Sequence, residues 1–512
     1  MTAERDRSAF SIRQTRRNIL TTYAARLVGL LSLLVVLPLI IGKFGAEPTA
    51  LYLLVTTIVA LLQTDLGLMA GGVRSIGRSY VSGDERQLAA DVATSHAFFA
   101  CLALVSCALY CGVFAAFWDK IDMPVTLEST GRLLVMFGAM QLVLTIASTS
   151  IRQVLIAVGR LDTANGIVIV QATARLIGCV VITQFDVAIW ALGAVDAAVS
   201  ALALVASLLA RRRIAPECAG RFRSVSAKAG RSMIRLNGSL LLLSISGLIV
   251  MQAGSLVVSA TLPLAAVTAY AAGFRCYQAC KEITNSLTAA LLPAATRLDA
   301  EGRAAVLRTI YLKATAVAGA VQLAALIPVM AFATPILEIW LGERLDGAGS
   351  VTVLLLLSLV ISNNHLVAIP LLTARGRVGA YALMHAVWAL SAIGIGVFLA
   401  PRMGPEGMAL GFCLPIVLLE AFYVWIVLDE LNIRWREFGR QVLYPVILPS
   451  ALAVVWCLST SKWVEAEHIF RSLLIALSAT AIFLLCYWKC GLSPTDRQQI
   501  KHLRLKSKGM PS

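Results

Sequence analysis

Charge is what this chain lacks most. Of its 512 residues only 14% are Asp, Glu, Lys or Arg, and just 28 are acidic, where a soluble domain carries about 25% charged residues. A surface so poor in charge cannot keep 59% hydrophobic residues out of water, which excludes a soluble globule. Histidine is rarer still, five in all, leaving little from which to build a His-rich metal centre. The 11 cysteines form no framework. Most, such as Cys101, Cys107, Cys111, Cys179, Cys457 and Cys486, fall inside apolar runs. Cys276/Cys280 and Cys486/Cys490, one helical turn apart, read as small packing residues rather than disulfides or zinc ligands. Long polar loops are missing too. The largest outer loop, near 119–131, is too short for a folded catalytic domain.

What is present is apolar sequence in repeated runs of about 20 residues, the length of a bilayer-crossing helix. In lipid the backbone must satisfy its own hydrogen bonds, so such runs are helices. The expected class is an all-α polytopic membrane protein with about 14 transmembrane helices. The spans fall near 19–42, 48–73, 88–118, 132–158, 165–185 and 188–209, then 236–259, 263–293, 309–337, 350–374, 379–400 and 406–428, with two more near 441–459 and 470–490. The first is too long, and ends without a small-residue cleavage site, to be a signal peptide.

The net charge of +16 invites a nucleic-acid reading, but no basic-aromatic reading surface accompanies it. The basic residues instead alternate between loops. The tail before the first span, the exits of the even-numbered spans and the C-terminal tail are rich in Arg and Lys; the opposite loops hold Asp119, Asp122, Glu128, Asp186, Glu338, Glu343 and Asp346. The positive-inside rule then places both termini in the cytoplasm. The strongest basic stretch is 211–235, opening Arg211-Arg212-Arg213.

That stretch divides a weak internal repeat. Gly83-Asp84-Glu85-Arg86 after the second span matches Glu301-Gly302-Arg303 after the eighth. Gly159-Arg160 after the fourth matches Gly376-Arg377 after the tenth. Two six-helix lobes follow, residues 1–210 and 236–430, joined by a cytoplasmic linker at 211–235, with two extra helices and a basic tail in 431–512. Parallel repeats of this kind are a common way to build a transporter. The linker from Ser224 to Arg235 has the composition of a surface helix lying against anionic headgroups.

Charged residues inside spans cost free energy and mark function or pairing. In the fourth span Gln141, Thr145, Ser148 and Arg152 recur every three or four residues, on one face. In the eighth, Arg275, Gln278, Glu282 and Asn285 do the same, with Lys281 beside them. Arg26, Asp65, Arg175, Asp196, His365, His385 and Glu420 complete the set. At 1.5 Å per residue Arg175 and Arg275 lie about 16–18 Å inside their helices, close to the midplane; Arg26 and Arg152 lie about 10–12 Å in, within snorkelling reach. Each has a plain structural reading as well. Glu282 suits a buried pair with Lys281 or Arg275, and His96, His365 and His385 read as packing or hydrogen-bonding residues rather than ligands. Arginine fits phosphate with bidentate donors, so the cations point to an anionic, pyrophosphate-bearing ligand.

Several stretches resemble the polysaccharide exporters of the MATE-like superfamily, the lipid-linked oligosaccharide flippases of O-antigen and exopolysaccharide assembly. They are Leu61-Leu-Gln-Thr-Asp65-Leu-Gly-Leu68 followed by Arg74; Arg152-Gln-Val-Leu-Ile-Ala-Val-Gly159-Arg160-Leu-Asp-Thr-Ala-Asn165; Ala269-Tyr270-Ala-Ala-Gly-Phe-Arg275; and Ile339-Trp340-Leu-Gly342. The resemblance implies a bacterial inner-membrane flippase, not an enzyme. It would move an undecaprenyl-pyrophosphate-linked repeat unit by alternating access, beside a polymerase and glycosyltransferases of the same pathway. Arg26, Arg152, Arg175, Arg275, Gln278 and Lys281 are then the candidate substrate-binding residues. The resemblance requires no cofactor and allows sodium or proton coupling, with Asp65, Asp196, Glu282 and Glu420 as the available acids. A lipid II flippase and a cation-coupled drug exporter are related alternatives. A polymerase or ligase would need larger outer loops, and a non-transporting scaffold would not need the polar stripes.

Overall fold

The computed structural model describes residues 12–64, 68–120, 123–218, 220, 224–227, 230, 238–288, 291–342, 344–464, 469–492 and 497–498. Every regular element among them is helical, as a chain without water along its spans requires. In order these are α1 (Ile12–Phe44), α2 (Ala46–Leu62), α3 (Leu68–Ser82), α4 (Glu85–Phe117), α5 (Glu128–Ala157), α6 (Leu161–Thr183), α7 (Trp190–Ile214) and α8 (Gly238–Thr261). Then come α9 (Leu264–Thr288), α10 (Leu291–Ala300), α11 (Ala304–Ala331), α12 (Ala333–Leu341), α13 (Ala348–Ile361), α14 (His365–Ala374), α15 (Gly379–Met403) and α16 (Pro405–Glu430). The last are α17 (Trp435–Phe438), α18 (Tyr444–Thr460) and α19 (Ile469–Cys486).

Among the described residues twelve helical stretches are long and apolar enough to cross a membrane. The two other expected spans are α2, at 17 residues, and α9, diluted by Arg275, Lys281 and Glu282. The chain is therefore a multi-pass membrane protein. Two expected spans are broken. The second, 48–73, is α2 plus α3, with Asp65 between them, outside the described residues. The tenth, 350–374, is α13 and α14 joined by a 3₁₀ turn at Ser362–Asn364. Ser362, Asn363 and Asn364 compete with the backbone for hydrogen bonds, and Pro370 in α14 removes a donor from the ladder.

The paired Gly-Arg exits are the same device. Gly159 and Gly376 have φ of 82° and 68°, a left-handed conformation open to glycine at little cost. The following N–H in each case reaches back five residues, Arg160 to Leu155 O at 2.8 Å and Arg377 to Leu372 O at 2.9 Å. That bond ends each helix as a Schellman motif.

The chain falls into two compact units, Met1–Ala271 with His385–Met408, and Ala272–Met384 with Ala409–Ser512. In the first, α5 packs along α7, α1 along α6, and α2 against α5 and α8. The start of the basic linker belongs to it: Ala215 and Cys218 are fully buried with Ile76, Val92 and Val154. Burial also pushes the Cys218 thiol up to about 11. Farther along, the Ser226 N–H donates to Thr94 Oγ1 at 3.0 Å. The surface helix expected at 224–235 lies largely outside the described residues. In the second unit α18 and α19 dock on α11, where Ala320, Ala324 and Ile327 meet Ala453, Cys457, Ala479 and Phe483, and Thr480 Oγ1 donates to Ala324 O at 2.9 Å.

Candidate functional site

Each unit holds a buried polar cluster within its spans. In the first unit it joins three helices. Arg175 of α6 donates from Nε to Asp196 Oδ1 of α7 at 2.7 Å and from Nη2 to the Tyr52 hydroxyl of α2 at 2.7 Å. Tyr52 in turn donates to Asp196 Oδ2 at 2.7 Å. The Asp196 side chain is 1% exposed and that of Arg175 34%. The triangle satisfies both carboxylate oxygens, the condition under which a low-dielectric ion pair holds. Two residues singled out for different tasks, an anion-binding arginine and a coupling acid, are thus partners. In sequence they are 21 residues apart, on separate helices, with nothing to announce the pairing.

The polar stripe of the fourth span divides. Thr145 Oγ1 donates to Ser200 Oγ at 3.2 Å, and Ser148 lies 3.1 Å from Ser207 Oγ, so these hydroxyls form the seam between α5 and α7. Arg152 donates from Nη2 to Thr149 Oγ1 at 3.0 Å, while its buried Nε finds no partner among the described residues. Arg26 is half-buried on α1. The stretch Arg160–Asn165 that carries part of the family resemblance works as a clasp on α1. Asp162, its side chain 0% exposed, meets Arg17 Nε at 3.0 Å and Arg160 Nε at 3.2 Å, and accepts from Gln14 Nε2 at 2.9 Å. Asn165 Nδ2 donates to Thr22 Oγ1 at 2.8 Å.

In the second unit α9 carries Arg275, whose Nη1 donates to Gln278 Oε1 at 3.3 Å, and Lys281, whose ammonium sits 5.8 Å from the Tyr277 ring centroid. Glu282, half-buried, acts electrostatically on Lys281. The buried cluster forms where the tenth span breaks. His365 Nε2 lies 3.0 Å from Glu420 Oε2 of α16. The imidazole packs against Tyr423 and Tyr381, with centroids 4.4 and 5.2 Å away. Next to it, Tyr311 donates to Asn364 Oδ1 at 2.5 Å and Asn363 Nδ2 to Thr315 O at 3.1 Å. Asn364 is close enough to act on the Glu420 carboxyl, yet neither Asn364 Nδ2 nor Glu420 Oε1 completes a hydrogen bond among the described residues. The Lys281 charge also acts on His365. A carboxyl and an imidazole in contact, beside unsatisfied buried polar atoms, can hold or exchange a proton.

His365 both packs and hydrogen-bonds here, while Asn364, Tyr381 and Tyr423 were not singled out in the sequence. The signal was the polar run Asn363-Asn364-His365 in the middle of an apolar span. Among the described residues no three His, Cys, Asp or Glu side chains stand together as a metal site.

Two broken spans, Gly-Arg helix exits and intramembrane charge belong to an all-helical, multi-pass membrane fold. In particular, the chain has the fold of the MOP superfamily structures. It aligns with "Lipid II flippase MurJ, inward closed conformation" at a TM-score of 0.67 and 12% identity, over 94% of this chain and 99% of that one. A multidrug resistance MATE family transporter of the MOP superfamily, in its inward-facing conformation, aligns at 0.60 and 13% identity, over 80% and 95%. A mutant form of the Vibrio cholerae MATE transporter VcmN aligns at 0.55 and 15%, over 82% and 97%. No protein-family model matches the sequence, and no curated protein does.

Proposed function

We propose that this chain is a flippase of the bacterial inner membrane that moves an undecaprenyl-pyrophosphate-linked oligosaccharide for O-antigen or exopolysaccharide synthesis, by alternating access. The observation that carries the reading is the charge placed within spans of a MOP-type fold. Arg152 keeps a buried Nε with no partner among the described residues, and Arg275 and Lys281 lie on one helix, α9. Guanidinium and ammonium groups in a low-dielectric setting suit a pyrophosphate head. Within the second unit Arg275, Gln278 and Lys281 are the candidate contacts for that head; within the first they are Arg26, Arg152 and Arg175, the last also held by Asp196. Glu420 and His365 are the proton-coupling pair. A second reading, lipid II transport, is supported by the likeness to MurJ over 94% of the chain against 80% for the inward-facing MATE structure.

The test is twofold. In proteoliposomes, the wild type exposes a lipid-linked oligosaccharide on the outer leaflet, while Arg275→Gln and Lys281→Gln each slow this without loss of protein from the membrane. If both variants keep the wild-type rate, the cationic substrate site is wrong. In cells, loss of polysaccharide export on disruption of this gene favours the first reading; rescue of a strain depleted of its lipid II flippase favours the second.

A further inference from the structure

Between α4, α5 and α7 the first unit has a cavity of about 570 Å³. This is within the usual range of about 300–1,000 Å³ for a bound small molecule. It runs along α4 from Ala93 to Cys107, about 21 Å at 1.5 Å per residue, enough for one leaflet of a hydrocarbon core about 30 Å thick. Its rim includes Leu104, 74% exposed on a spanning helix. On such a helix an apolar face of this kind meets lipid rather than water.

The lining is polar at one end only. There His96 and Ser150 stand together, with His96 Nδ1 2.7 Å from Ser150 Oγ. His96 Nε2 is buried and has no partner among the described residues. On α7 the lining residues are Leu204 and Leu208, and Arg211 follows one turn later on the same face. Arg211 acts electrostatically on His96. Its Nη1 donates to Cys218 O at 3.1 Å, which ties it to the linker, while its buried Nε is unpartnered among the described residues. Gly220 of the linker closes this end. A Cβ there would stand 2.9 Å from the Ala93 nitrogen, so the linker backbone lies directly on α4.

We propose that this groove binds a lipid: one acyl chain of an anionic glycerophospholipid lies in the channel, and its phosphate rests at Arg211 and His96. The charge matches, since Arg211-Arg212-Arg213 end α7, the end that the positive-inside rule turns toward anionic cytoplasmic headgroups. The occupant is a bulk phospholipid and not the transported lipid. A sugar head needs several converging polar groups, and the groove offers one imidazole and one guanidinium. Bound there, the lipid bridges α4, α7 and the first turn of the linker, so it sets how firmly the linker is held.

Native mass spectrometry of the full chain, purified with equal phosphatidylglycerol and phosphatidylcholine, tests this. The wild type retains one phosphatidylglycerol in preference to phosphatidylcholine. Arg211→Gln reduces that preference about fivefold, the worth of one basic residue near an anionic surface, and Arg211→Lys keeps most of it. Ala147→Trp, which fills the groove, removes the retained lipid. Because a filled groove can disturb folding, the Arg211 pair stands as an independent arm. Equal retention of both lipids, or an unchanged preference in Arg211→Gln, overturns the proposal. So does a retained mass that proves to be a polyprenyl pyrophosphate.

Discussion

The buried cluster of the first unit is closed, and that of the second is open. Arg175, Asp196 and Tyr52 use their polar atoms on one another at 2.7 Å. His365 and Glu420 meet at 3.0 Å and leave Glu420 Oε1 and Asn364 Nδ2 unsatisfied among the described residues. Both lie in helices that cross the membrane, and sequence alone marks both as charge where lipid should be. The difference is one of completeness. A closed ion pair has no protonation state to change without a large penalty, so it fastens helices. An acid–imidazole pair has a proton to exchange, which is why it, and not the closed pair, is the candidate for coupling under the proposed function. Intramembrane charge alone therefore does not identify a transport site; its partners decide.

The largest effect that would break this contrast is on the closed cluster. Asp196→Ala leaves the Arg175 charge uncompensated and costs about 3–5 kcal/mol, read as a loss of folded protein in detergent unfolding. Arg175→Met combined with Asp196→Leu recovers most of that stability, since an apolar pair of similar volume avoids the desolvation cost. Next comes Glu420→Gln. It keeps or raises stability by removing a buried ionisable group, but lowers gradient-driven transport about 5–150-fold, the range of ordinary coupling energies, and flattens the dependence of transport on pH. Destabilisation by Glu420→Gln as large as that of Asp196→Ala would erase the distinction. Smaller is Asp162→Asn, which weakens the clasp on α1 by about 1–3 kcal/mol, measurable as faster hydrogen exchange in the first turns of α1. Smallest is Thr145→Ala, which removes one interhelical hydroxyl contact worth about 0.6 kcal/mol and leaves transport unchanged.

The helical class and the succession of apolar spans were legible because they follow from a local quantity, run length. The Gly-Arg exits were legible too, since a left-handed C-terminal residue needs glycine at that spot. Less so were the breaks. The 3₁₀ turn at Ser362–Asn364 is written in three polar residues, but an apolar run on each side reads as one span. The partnership of Arg175 with Asp196 was invisible, because both residues signal charge and neither signals the other. The stripe of Thr145 and Ser148 looked like a site and is a helix seam, since periodicity identifies a face but not what that face meets.

Sequence by itself determined that this chain spans a bilayer many times as helices, because a backbone in hydrocarbon has no other way to satisfy its polar groups, and the spacing of apolar residues records that constraint residue by residue. Only the tertiary structure decided which buried charges are neutralised and which remain open. Neutralisation depends on distances of about 3 Å between side chains far apart in the chain, and no local pattern encodes those distances.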